Sequence, residues 1–180
     1  MEQLKKSIVL VGMTGVGKTT IGKILAKELR IKFFDIDQEI ERISNLKIKD
    51  FFKMYGESEF RRIEKITFLN LIKKKETYII SPGAGIYSDD EMRKVLLNDC
   101  LCIFLNANIN SLILRLKKNL SNRPKLSEGK LEENLKQMYI ERIKDYKRSH
   151  FTINVDEISI PEAVAKINKA LIKYGKFSQL

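Results

Sequence analysis

The chain is poor in the residues from which several kinds of active centre are built. Its 180 residues include one histidine and two cysteines. His150 stands alone just before an apolar run, so no Ser–His–Asp set can form, and a packed or surface role is expected for it. Cys100 and Cys102 are two residues apart with no further ligands nearby, which is not a zinc set. That spacing puts both on one face of a predicted strand, as buried thiols of a reduced protein. Three prolines and nine glycines without a period rule out a collagen-like chain, and 43% hydrophobic residues rule out a disordered one. No apolar run nears the ~20 residues that cross a bilayer. The apolar stretch before Gly12 is too short for a signal peptide, so a soluble cytoplasmic protein is expected.

What the chain has in excess is positive charge, formally +11. Such a balance suits a polyanionic partner, but the lysines fall within helical patterns interrupted by Ile or Leu and form no basic tail. Solvated helix faces plus a local anion site account for them. No nucleic-acid or membrane partner is expected.

The length fits one compact domain. Short β-like runs alternate with helical patterns. The run Ser-Ile-Val-Leu-Val at 7–11 is apolar after its first residue and reads as a strand buried on both faces. Apolar residues at Ile21, Ile24, Leu25 and Leu29 form a helix stripe over 18–30. Further strands are predicted at 32–36, 77–81, 100–105 and 151–155. Helices are predicted at 38–43, 48–55 (closed by Gly56), 58–74, 88–97, 110–119, 131–147 and from Ser159 onward. Ser88 with Glu91, and Ser159 with Glu162, match capping boxes. The stretch 121–130 is polar and contains Pro and Gly. Together these predict a three-layer α/β domain with a five-stranded parallel sheet.

The strongest signal is Gly12-Met13-Thr14-Gly15-Val16-Gly17-Lys18-Thr19, a complete G-x-x-x-x-G-K-[ST] between a strand and a helix. Such a loop turns successive backbone N–H groups into one concavity at a helix N-terminus, a seat for nucleotide phosphates. Lys18 would reach the β- and γ-phosphates, and the Thr19 hydroxyl would ligate Mg²⁺. A phosphate-binding loop alone leaves kinases, GTPases and motor ATPases open.

Other residues narrow the choice. Asp35 and Asp37 end the second strand; a two-residue step puts both carboxylates on one side, where ligands of parallel sheets bind. One can sit in the metal shell and the other can take an acceptor's proton; the plainer alternative, that Asp37 caps the helix beginning at Gln38, can coexist with that role. Arg61 and Glu64 are one helical turn apart and can pair, as surface residues often do. Pro82-Gly83-Ala84-Gly85 follows a strand and lets backbone approach a ligand. Arg123-Pro124 lies in the polar stretch, where a lid could carry an arginine to the transferring phosphate. Arg142 and Tyr146 are one turn apart near the end of the following helix.

In order and spacing, these motifs resemble the shikimate kinase family over essentially the whole chain: Gly12–Thr20, Phe34–Asp37, Gly56–Arg62, the glycine-rich turn, Arg123-Pro124 and Arg142 with Tyr146. The resemblance implies a nucleoside-monophosphate-kinase-like fold with a substrate-binding helical segment at about 37–74 and a lid at about 117–130. It implies phosphoryl transfer from ATP to the 3-hydroxyl of shikimate, with Mg²⁺; a monomer is expected. Asp37, Arg61, Arg142, Gly83, Ala84 and Gly85 would bind shikimate, with the arginines on its carboxylate and Asp37 assisting deprotonation. Phe52 and Phe60 would line its pocket. Residues 12–20 and Arg123 would hold the nucleotide, Lys18 and Arg123 would neutralise charge, and Thr19 and Asp35 would face the metal. Arg115 corresponds to an arginine near the adenine, though its spacing to Arg123 is one residue off. The turn carries Ala84 where the family usually has glycine, and Lys125 stands where an apolar residue is commoner. Ala84 would be strained if its position required a positive φ. The rivals are another small-molecule kinase, such as a gluconate kinase, and a non-catalytic nucleotide- or nucleic-acid-binding protein.

Overall fold

The computed structural model describes residues 6–74, 76–120 and 128–177. Strand β1 (Ile8–Val11) is buried along its whole length. Removing each of its aliphatic side chains from water contributes about 1.5–3 kcal/mol, so the run settles at the sheet's centre. The other strands are β2 (Lys32–Asp35), β3 (Tyr78–Ser81), β4 (Leu101–Asn106) and β5 (Phe151–Asn154). All pair in parallel, as the alternating pattern predicts, and their order is β2-β3-β1-β4-β5.

Helices α1 (Lys18–Leu29) and α7 (Ile160–Phe177) pack against each other. Helix α4 (Asp90–Asp99), a 3-10 turn (Ile86–Ser88), α5 (Ile109–Leu120) and α6 (Glu128–Tyr146) form a second connected group. Helix α2 (Ile36–Ser44) packs on α3 (Ile48–Ile72), which breaks at Gly56 (φ 77°, ψ 177°), where the sequence places a helix end. The chain leaves β1 toward β2 on one side and β4 toward β5 on the other. The crevice at the carboxyl end of β1 is therefore the switch point where ligands of such sheets bind.

Three local expectations are corrected. Asp35, not Asp37, is the α2 N-cap, its Oδ1 accepting from the Gln38 N–H at 3.4 Å. With Asp35 capping, the strand ends there and Asp37 falls in the helix's first turn, so the two carboxylates do not share one strand face. Asp89 rather than Ser88 caps α4, accepting from the Met92 N–H at 2.9 Å, because the 3-10 turn takes up Ser88. Cys100 ends α4 and precedes β4, so only Cys102 lies on the strand; both are buried free thiols. The Ser159–Glu162 capping box of α7 is present as read: Ser159 N–H donates to Glu162 Oε2 at 2.7 Å and Glu162 N–H to Ser159 Oγ at 3.4 Å. His150 has a structural task, its Nδ1 accepting from the Cys102 N–H at 3.0 Å.

Candidate active site

The loop between β1 and α1 gathers at the switch point. Gly12 has φ 145°, and a Cβ there would stand 2.6 Å from the Leu105 carbonyl oxygen of β4, so only glycine fits. Helix α1 starts without a side-chain cap and without an acidic residue in its first turn. Its opening N–H groups are thus left for an anion, with the helix dipole adding to their pull. Met13 and Val16 are buried, so these two face the core while the loop backbone is left to face a ligand.

Lys18 folds over this loop, its Nζ donating to the Gly12 and Met13 carbonyls at 2.8 and 3.1 Å. Burial pushes its ammonium down to about 8, against the opposing pull of Asp37 and Asp35. Thr19 Oγ1 donates to Asp35 Oδ2 at 2.6 Å. Asp37 Oδ1 is buried with no hydrogen-bond partner. Burial, then repulsion from Asp35 and Glu64, lifts the Asp37 carboxyl to about 6, with Lys18 and Arg61 working against the rise. A buried carboxylate oxygen without a partner, under the influence of a lysine, is costly to the fold and useful to a proton acceptor.

The opposite wall comes from α3 and the turn after β3. Arg61 donates to Glu64 at 2.7 Å and to Glu57 at 3.2 Å. The sequence pattern suits a surface pair, yet Glu64 is only 1% exposed. Burial pushes its carboxyl up, and Arg61 holds it down. The Arg61 guanidinium lies 5.2 Å over the Phe60 ring, which stacks on Phe52 at 4.6 Å. A Cβ on Gly83 would collide with Glu64 Oε1, and one on Gly85 would stand 2.7 Å from the Arg61 guanidinium carbon. Ala84 has no positive φ, so the strain expected of an alanine there does not arise. Tyr146 Oη donates to the Ala84 carbonyl, a tie for which the sequence offered only a tyrosine one turn past Arg142. Arg142 is close enough to act electrostatically on Lys18, Glu64 and Tyr146.

On the far side of the loop a cavity of about 280 Å³ is lined by Gly15, Thr20, Arg115, Val155 and Ser159, among others. Arg115 Nη2 donates to the Val155 carbonyl at 3.1 Å, so this arginine does stand beside the loop. The predicted lid is helical at both ends, in α5 and α6. Arg123, Pro124 and Lys125 lie outside the described residues. The structure thus brings together Lys18, Thr19, Asp35, Asp37, Arg61, Glu64, Arg142 and the glycine turn.

Known proteins resemble this chain in sequence and fold. A family model described as shikimate kinase matches residues 14–172. A shikimate kinase of Thermodesulfovibrio yellowstonii is 37% identical over 164 residues, 91% of this chain and 94% of that protein. One from Bacillus subtilis is 35% identical over 171 residues, 95% and 91% of the two chains. The solved structure of shikimate kinase from Acinetobacter baumannii in complex with shikimate superposes with a TM-score of 0.84 at 28% identity, covering 94% of each chain. The chain belongs to the shikimate kinase family.

Proposed function

We propose that the chain transfers the γ-phosphoryl group of ATP to the 3-hydroxyl of shikimate, a step of aromatic amino-acid biosynthesis. The observation that carries this reading is the buried, unpartnered Oδ1 of Asp37, acted on by the loop-bound Lys18 from one side and the Arg61–Glu64 pair from the other. A proton acceptor, a phosphate clamp and a guanidinium for an organic acid then meet in one crevice.

In this reading the loop amides and Lys18 hold the β- and γ-phosphates, and Asp37 orients the acceptor hydroxyl and takes its proton. The acceptor oxygen bonds to the γ-phosphorus as the bridging β–γ P–O bond breaks, and ADP leaves with that electron pair. Arg61 and Arg142 hold the carboxylate, Phe52 and Phe60 wall the ring, and the backbone of Gly83, Ala84 and Gly85 closes on it. By the family resemblance, Arg123 adds charge from the lid. The cavity beside Arg115 suits the adenine.

Thr19 Oγ1 and Asp35 Oδ2, already 2.6 Å apart, are hard oxygen donors suited to Mg²⁺. Among the described residues no cluster of three or more His, Cys, Asp or Glu could hold a metal. Held by the Thr19 and Asp35 oxygens together with the nucleotide, such an ion would neutralise phosphate charge. Among the described residues no helix is long and apolar enough to cross a membrane. A cytoplasmic monomer completes the reading.

The test is ADP release measured with shikimate, gluconate and nucleoside monophosphates as acceptors. Turnover with shikimate alone supports the proposal. Turnover with another acceptor instead overturns the substrate. Silence with all of them, alongside salt-sensitive binding of an oligonucleotide, overturns the kinase.

A further inference from the structure

Arg93 on α4 takes no part in the chemistry above, yet it is only 9% exposed. Buried charge is expensive unless it is fully paired, and here one guanidinium meets three segments. Nη1 donates to the Tyr87 carbonyl at 3.1 Å, in the 3-10 turn directly after the glycine turn. The same nitrogen lies 3.1 Å from Asp145 Oδ1, near the end of α6. Nη2 pairs with Asp90 on its own helix.

The residue after Asp145 is Tyr146, whose hydroxyl donates to the Ala84 carbonyl. Its ring stacks on Phe104 at 5.2 Å and lies 5.9 Å from the Tyr87 ring. Arg142 precedes this pair by one helical turn. The end of α6 is therefore pinned to the glycine turn at two points, Tyr146 to Ala84 and Asp145 through Arg93 to Tyr87. Losing either point would loosen the end of α6, and Arg142 with it, from the segment that carries the glycine turn.

We infer that Arg93 is a positioning residue for the acceptor site: its bridge between Asp145 and the Tyr87 carbonyl sets where the end of α6, and Arg142 on it, stands relative to the glycine turn. The kinetic side of this inference rests on the shikimate reading proposed above. The planar guanidinium serves Tyr87 and Asp145 from Nη1 and Asp90 from Nη2 at fixed angles, which a lysine ammonium does less well.

The variants are Asp145→Ala, Arg93→Met and Arg93→Lys, read by steady-state kinetics, thermal unfolding and amide hydrogen exchange. Asp145→Ala should raise KM for shikimate on the order of ten-fold while leaving KM for ATP within about two-fold, since only acceptor alignment is disturbed. Arg93→Lys should fall between wild type and Arg93→Met. Amides of Ile86 and Ser88, which donate to the Gly83 and Gly85 carbonyls, should exchange faster in Asp145→Ala. A lowered Tm with both KM values unchanged, or both KM values rising together, overturns the inference. If Arg93→Met fails to fold, Asp145, whose side chain is 26% exposed, still decides. If wild type does not phosphorylate shikimate, the functional reading fails, and exchange at Ile86 and Ser88 alone decides the clamp: unchanged rates overturn it.

Discussion

Gly85 lies flush against Arg61, so close that a single methyl group at 85 would stand 2.7 Å from the guanidinium carbon. The neighbouring Ala84 has an ordinary backbone and needs no glycine. The turn's two glycines therefore serve contact with Arg61 and Glu64 rather than backbone freedom. Gly85→Ala should displace Arg61 and raise KM for shikimate on the order of ten-fold or more, with KM for ATP nearly unchanged. Ala84→Gly should cost at most about 1 kcal/mol of stability and leave both KM values in place. Equal effects of the two substitutions on shikimate KM would sink this account of the turn.

Asp37 offers a test in which activity and stability move in opposite directions. Its carboxyl is held near 6 rather than 3.8, so the folded protein binds the proton more tightly than the unfolded chain between those values. Stability from this group is full below about 3.8 and is lost as pH rises through 6, by about 3 kcal/mol at most. Asp37→Asn should therefore raise the Tm of the ligand-free protein at pH 7 to 8, with the gain fading toward pH 4. The same variant should lose at least about 10²-fold in kcat while still binding ATP. In wild type, kcat/KM should climb through pH 6 as Asp37 ionises. A Tm at pH 8 no higher than that of wild type would show that Asp37 is not strained.

The fold was legible because local signals agreed: an all-apolar strand at Ile8–Val11, helix stripes such as Ile21–Leu25, and a phosphate-loop pattern at their junction. The phosphate side of the site was legible too, since its residues are contiguous along the chain. The acceptor side was harder to read. Glu64 looks like half of an exposed i,i+3 pair, and only packing against Gly83 reveals it as buried. Arg93 and Asp145 are 52 positions apart in sequence and carry no local pattern, so nothing in the chain announces their bridge. The misplaced caps at Asp35 and Asp89 have a common cause: runs such as Asp-Ile-Asp and Ser-Asp-Asp supply several competent caps, and tertiary packing selects among them.

Lys18 should reveal itself by proton uptake. Burial brings its ammonium down to about 8, so near pH 8.5 much of it is neutral in the free protein. Bound phosphates favour the charged form, and nucleotide binding must then draw a proton from solution. Calorimetric titration of ATP at pH 8.5 in buffers of different ionisation enthalpy should report net uptake. Lys18→Met should abolish both the uptake and most turnover. Uptake that persists in that variant would assign the proton to another group.

Arg142 links the two halves of the site, since it acts on Lys18 as well as on Glu64 and Tyr146. Arg142→Ala should remove a charge-assisted bond to the substrate carboxylate, worth about 1.5–3 kcal/mol, and so raise KM for shikimate roughly 10- to 150-fold. Arg142→Lys should recover only part of that, because a point charge replaces a fork. The alanine variant also removes a positive charge that disfavours the Lys18 ammonium, so the proton-uptake window should move to higher pH. A shift of that window with no change in shikimate KM would place Arg142 on the nucleotide side alone. A raised shikimate KM together with the shifted window is the outcome expected of a residue serving both.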